Sequence, residues 1–177
     1  MLGKPVEGWP KARIDKYLKD HNIDILDNYL PFDEKVLPGV HKVSTRGNIN
    51  FMPRDDDMDY VIIGLLALEK RGIKTSARTI ANTWVDRLPF NVVYTAEECA
   101  YRNFVNSIWP PLSGTHRNPF REWIGAQIRA DVFGYVTPGL PEIGAKLAFN
   151  DASISCLLYT SDAADEGLGV DLGGRRI

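Results

Sequence analysis

"DDDMDYVIIGLLALEK", residues 55–70, decides the fold. Four aspartates, Asp55, Asp56, Asp57 and Asp59, fill four of five positions directly ahead of an apolar run. The run holds no proline, and "RGIK" after it is a helix stop, so a helix is predicted from Asp57 to about Lys70. Its head is acidic, where the helix dipole favours negative charge. Outward from it the same period recurs. "PKARIDKYLKDHN" opens on Pro10, welcome in a first turn, and sets Ile14, Tyr17 and Leu18 on one face. "KTSARTIANTWVDRLP" offers Thr75 or Ser76 as cap, with Ile80, Trp84 and Leu88 spaced for burial. "TAEECAYRNFVNSIWPP" shows a capping box, Thr95 with Glu98, and should run on to Pro110. "NPFREWIGAQIRADVFGY" and "LPEIGAKLAFNDASIS" read as two more helices, the second with Pro141 near its first turn. The fold class is all-α. Segment 24–54, carrying prolines, glycines and His41, reads as a long irregular connection, and loops of that length are often functional.

Composition narrows the function classes. The chain has 177 residues, 44% hydrophobic and 25% charged, enough for one domain with a real core. A formal charge of -2, with Lys and Arg scattered, gives no footprint for nucleic acid. No apolar stretch approaches the roughly 20 residues of a membrane span, and "MLGKPVEGWP" lacks the regions of a signal peptide. A cytoplasmic setting, with neither membrane nor nucleic-acid partner, is the expectation. Cys99, inside a predicted helix, reads as a small buried hydrophobe. Trp9, Trp84, Trp109 and Trp123 read as core or rim, and His21, His41 and His116 lack the mutual spacing of a zinc site.

The last stretch, "CLLYTSDAADEGLGVDLGGRRI", has no helical period. Its first and last thirds back-translate to the two ends of a sequencing adapter separated by an index-length gap. Residues 156–177 are therefore expected to be translated adapter, packing poorly, and residues 1–155 the natural part; a genuine disordered tail is the alternative. Setting the stretch aside removes four acidic and two basic side chains from 23 and 21, leaving 19 of each. Cys99 is then the sole cysteine, and no intrachain disulfide is expected.

The aspartates admit two readings. A helix N-terminus favours negative charge by about 0.3–1 kcal/mol per group, which accounts for one or two carboxylates but not four. Neighbouring carboxylates beside an apolar helix cost solvation unless a cation offsets them, and a hard divalent ion such as Mg²⁺ takes oxygen ligands of this kind. The other reading is a solvated acidic cap with Arg54 as counter-ion. The spacing of an EF-hand is absent.

"MLGKPVEGW", "MPRDDDMDY", "NPFREWIGAQIRADVFGY" and "DASIS", in that order, resemble the ADP-ribosylglycohydrolase family, in particular its bacterial members. Against the family pattern Gly-Asp-Ala-Leu-Gly-x-Pro-x-Glu, Leu2, Gly3, Pro5 and Glu7 match. The pattern Thr-Asp-Asp-Thr falls on Asp55, Asp56, Asp57 and Met58, and Gly-Ala-x-Met-Arg with a later Gly falls on Gly125, Ala126, Ile128, Arg129 and Gly134. The resemblance spans residues 1–155. It implies the N-terminal part of an all-α helical bundle, a site for two Mg²⁺ ions, and hydrolysis of the glycosidic bond between ADP-ribose and an attached group.

By the same resemblance Asp56 and Asp57 are metal ligands and Asp55 a third, while Glu7 is the carboxylate nearest the metals and the scissile bond, acting as general acid/base or as a gate. Asp56 is counted with Glu7 as catalytic, and the two should lie close together with Asp57. Gly125 would let backbone approach the ligand. Arg129 would hold phosphate, with a structural pairing to Asp131 or Glu122 as its equal alternative. Two departures weigh against a complete site: Asp55 and Met58 stand where the family has threonines, and the family's later Asp-rich metal motif is not found. The chain is thus expected to be cut at both ends and inactive by itself. A non-catalytic, crystallin-like member of the same fold and a different metal-dependent phosphohydrolase are the other classes.

Overall fold

The computed structural model describes residues 3–156, and among these every regular element is helical, with no strand. The chain clusters into two compact units, Met1–Asp55 and Asp56–Ile177. No helix among the described residues is long and apolar enough to cross a membrane.

In the first unit a 3₁₀ turn at Lys4–Val6 precedes helix α1, Lys11–Asp20, for which Pro10 is the N-cap residue. As the period predicts, α1 turns one face inward: Tyr17 is buried, with Ile14 and Leu18 packed beside it against Val6, Leu30 and Leu37. The Tyr17 hydroxyl donates to the carbonyl of Pro31 at 2.7 Å, so the wet end of this core residue finds a partner inside the unit. Segment 24–54 contains a single 3₁₀ turn, Gly39–Ser44, and is otherwise irregular, as expected. The Arg46 guanidinium fastens it by donating from Nε to the carbonyl of Tyr29 at 3.0 Å.

The second unit is built on α2, Asp56–Arg71, within one residue of the expected bounds. Its buried residues Tyr60, Ile63, Gly64, Ala67 and Leu68 follow the three-and-four spacing of one helix face. This face packs on α3, Ala77–Arg87, and on α6, Gln127–Tyr135, while α6 packs in turn on α7, Pro141–Ala152. Ser76 caps α3, its hydroxyl accepting from the Thr79 N–H at 3.2 Å, and Ile80, Trp84 and Leu88 all lie in the core. At Gly64 a Cβ would stand 2.6 Å from Cγ1 of Val132, so the α2–α6 approach requires glycine. Gly64→Ala should therefore destabilise the unit by about 1–3 kcal/mol, the usual range for overpacking, read as a lower urea midpoint with unchanged slope.

Two helices differ from the sequence reading. Helix α4 spans Thr95–Val105, with Tyr94 as a cap residue that makes no side-chain bond, so the capping box is not formed. Thr95 takes a positive φ of 46° and stands inside the helix, and the Glu98 N–H goes to the carbonyl of Tyr94. The helix also stops five residues before Pro110. Ser107 adopts φ 64°, its N–H bonds the carbonyl of Phe104, and the Ile108 N–H bonds that of Asn103, the pairing of a Schellman termination. A short helix, α5 at Leu112–Thr115, follows.

The second difference is the late start of α6. Asn118 directs its amide to the carbonyls of Ala96, Gly114 and Ser155 and accepts the Phe120 N–H at 3.1 Å. Such side-chain bonds compete with helical ones, and residues 118–123 form turns that lead through a 3₁₀ turn, Ile124–Ala126, into α6. Helix α7 begins at Pro141 as read. Cys99 and Cys156 are both buried free thiols. Cys156, first residue of the stretch expected to be adapter, packs beside Ala96, Ala126 and Ala152; the rest of that stretch, and Leu2 of the first motif, lie outside the described residues.

Candidate functional site

The head of α2 gathers charge by local geometry. Asp55, Asp56 and Asp57 are consecutive, and one carboxylate oxygen from each lies within 4.8 Å of the others. Exposure grades along them, Asp55 buried, Asp56 half-buried and Asp57 exposed. The Asp57 N–H donates to Oδ1 of Asp56 at 3.1 Å, one of the orphan donors of a helix start satisfied by a neighbouring carboxylate. Inside the first unit, the Lys4 ammonium stands 2.8 Å from Oδ1 of Asp55 and offsets part of the charge. Three carboxylate donors form a hard, anionic oxygen set, suited to Mg²⁺, Mn²⁺ or Ca²⁺ rather than to a soft transition metal. The residues present fit a divalent cation.

Glu7 lies in the first unit, exposed, directly after the Lys4–Val6 turn, its N–H donating to the carbonyl of Lys4 at 3.3 Å. Asp56 and Asp57 open the second unit.

Arg129 is 1% exposed and belongs to the interior of the second unit. Its partners are neither Asp131 nor Glu122. Nε donates to Oδ2 of Asp151 at 2.5 Å and Nη2 to the backbone carbonyl of Asp151 at 3.2 Å. Nη1 donates to Oε1 of Glu97 and, at 3.0 Å, to the carbonyl of Gly125. Trp84 and Tyr60 close over the guanidinium, with ring centroids 5.1 and 5.7 Å from Cζ. Ser155 adds a hydroxyl 3.4 Å from Oε1 of Glu97.

Charge shapes the titration of this cluster. Desolvation works to lower the guanidinium's pKa, but Asp151 and Glu97 override it and hold Arg129 charged more firmly than in water. Asp151 is raised above its ordinary value because burial outweighs the neighbouring guanidinium. The Tyr60 hydroxyl is pushed up by burial and then by the Glu97 carboxylate, and stays protonated.

Gly125 has a concrete reason to be glycine. A Cβ there would fall 2.6 Å from Cδ of Glu97, so the missing side chain makes room for the carboxylate that meets Arg129. The sequence reading reached Gly125 and Arg129 but missed Glu97 and Asp151. Their signal was available: each is a charged residue on an apolar stripe, Glu97 between Val93 and Ala100, Asp151 between Leu147 and Ile154.

Set against known proteins, the chain matches no family model, no curated protein and no solved structure.

Proposed function

We propose that the Asp55–Asp57 cluster is the head of a divalent-metal site serving hydrolysis of an ADP-ribosyl glycosidic bond, on a protein or small-molecule conjugate, in the longer protein that the resemblance of the three motifs implies. The observation that carries this reading is the proximity of three consecutive carboxylates at a helix start. Mg²⁺, when bound, would supply Lewis acidity toward water and a hold on ribose hydroxyls. Asp56 and Asp57, with Asp55 third, would hold it. Glu7 is exposed and free of the buried network; it is assigned to hold or deliver the proton at the glycosidic oxygen or the attacking water. The resemblance puts Gly125 beside the ligand, but the space that a side chain would take there is filled by the Glu97 carboxylate, so Gly125 is given no direct part in binding. Arg129 is assigned to positioning, since it binds the Gly125 carbonyl from inside and shapes the 123–127 turn from below.

Release of ADP-ribose from a modified peptide by the proposed longer protein tests the assignment of Glu7. Glu7→Gln should reduce the rate by 10²-fold or more, within the roughly 10²–10⁴ range of general acid–base catalysis, and leave Mg²⁺ affinity unchanged. Equal loss of affinity would place Glu7 among the ligands instead.

A second reading, a non-catalytic binding or structural protein, is favoured by the Lys4–Asp55 ion pair, which offsets charge at the cluster without a metal. Lys4 separates the two. If Asp55 is a ligand, ammonium and metal compete for it, so Lys4→Gln should tighten Mn²⁺ binding several-fold, measured by water-proton relaxation. If the pair is purely structural, Lys4→Gln lowers stability and leaves metal affinity where it was.

A further inference from the structure

The interior of the second unit encloses two carboxylates and one guanidinium. Arg129, Glu97 and Asp151 are 1%, 4% and 3% exposed and come from α6, α4 and α7. The charged and titratable groups around the cluster are Tyr60 from α2, which also feels Asp56 at the head of that helix, Arg129 from α6, Glu97 from α4, and Asp151 with the following Cys156 from α7 and its end. From α3 the cluster receives the indole of Trp84, which brings no charge. One guanidinium, that of Arg129, is thus bonded by two buried acids. A buried carboxylate left unmatched costs several kcal/mol, and the lowest-cost remedy open to the protein is to keep a proton.

We propose that the Arg129–Glu97–Asp151 cluster is a proton-holding latch: two buried acids share one guanidinium, and the folded chain keeps a carboxyl proton on Asp151. Geometry makes the proton useful. With Asp151 neutral, Arg129 and Glu97 form a balanced pair, and Asp151 still accepts from Nε through Oδ2 and from Nη2 through its backbone carbonyl. The latch ties the end of α7 to the core at the point where Ser113 bonds the carbonyl of Ile154 and Asn118 that of Ser155, so it fixes segment 151–156. The upward displacement of Asp151 by burial agrees in direction. For a group raised on folding, the stabilisation is fully present below the unfolded value, 3.8 for this side chain, and is lost as pH rises through the folded one. Raising the pH therefore loosens the latch, and lowering it toward mildly acidic values tightens it.

Infrared spectroscopy of the 177-residue chain at about pH 6, where ordinary carboxyls are ionised, reads the proton directly. Wild type should show a protonated-carboxyl C=O band that disappears on unfolding in urea, and the band should be absent from Asp151→Asn. Absence of the band from folded wild type would overturn the proposal, whether or not the variant folds. A band that persists in Asp151→Asn would overturn it too. The urea midpoint supplies a second readout: wild type should lose stability relative to Asp151→Asn as pH rises from about 5 to 8, and parallel profiles would count against the latch.

Discussion

Arg129→Met is expected to be the most damaging single substitution in the second unit, costing about 3–5 kcal/mol, the range for removing one partner of a buried ion pair. The loss comes from what is left behind. Glu97 and Asp151 remain enclosed without their cation, and the Gly125 carbonyl and the Asp151 backbone lose a donor. A unit whose net stability is only about 5–15 kcal/mol would then be near unfolding. Urea titration followed by tryptophan fluorescence, to which Trp84 contributes with its ring 5.1 Å from the guanidinium, reads it. Replacing all three side chains by apolar residues of similar size should recover most of the loss, because well-packed hydrophobes often match or exceed a buried ionic cluster. A triple variant as unstable as Arg129→Met would mean that the contribution of Arg129 is shape, not charge balance.

The second large effect concerns the head of α2. Asp56→Ala with Asp57→Ala should abolish Mn²⁺ binding, and in the longer protein should abolish release of ADP-ribose, because two of the three clustered donors are gone. Stability should change little and in a predictable direction. Each aspartate contributes about 0.3–1 kcal/mol at a helix start, while their mutual repulsion works against that gain. Metal binding that survives the double substitution would remove the cluster from the site. The bond from the Asp57 N–H to Asp56 is lost with the carboxylate, so Asp56→Asn, which keeps an acceptor, serves as the control for fraying of α2.

The elements that were legible in the sequence are those where period and punctuation agree. For α2, the apolar stripe, the acidic head and the stop at "RGIK" coincide, and its bounds follow to within a residue. For α3, Ser76 and the stripe Ile80, Trp84, Leu88 did the same. The misreadings arose where a side chain or a single backbone conformation overrode a periodic stretch. Ser107 in a left-handed conformation ends α4, and Asn118, spending its amide on three carbonyls, delays α6. Neither is visible as a period.

At the site the local part was legible and the non-local part was not. Three adjacent aspartates are a pattern in the chain itself, so their convergence needs only a helix start. The partners of Arg129 lie 32 and 22 residues away on other helices, and no motif links them. What the sequence offers for them is a conflict: a carboxylate on an apolar stripe must either be exposed or find a cation, and Glu97 and Asp151 find the same one. Gly125 resolves similarly. Its motif position suggested room for a ligand, and the structure supplies the Glu97 carboxylate as the group that fills the space a side chain would take.

The proposed metal-dependent hydrolysis is tested most directly by the rate of ADP-ribose release from an ADP-ribosylated peptide by the proposed longer protein, taken with Mg²⁺ and again in excess EDTA. Release that requires Mg²⁺, is lost in EDTA and returns when Mg²⁺ is restored is the result predicted by metal ligation at Asp55, Asp56 and Asp57. An equal rate in EDTA would contradict it and leave "DDDMDY" as an acidic helix cap.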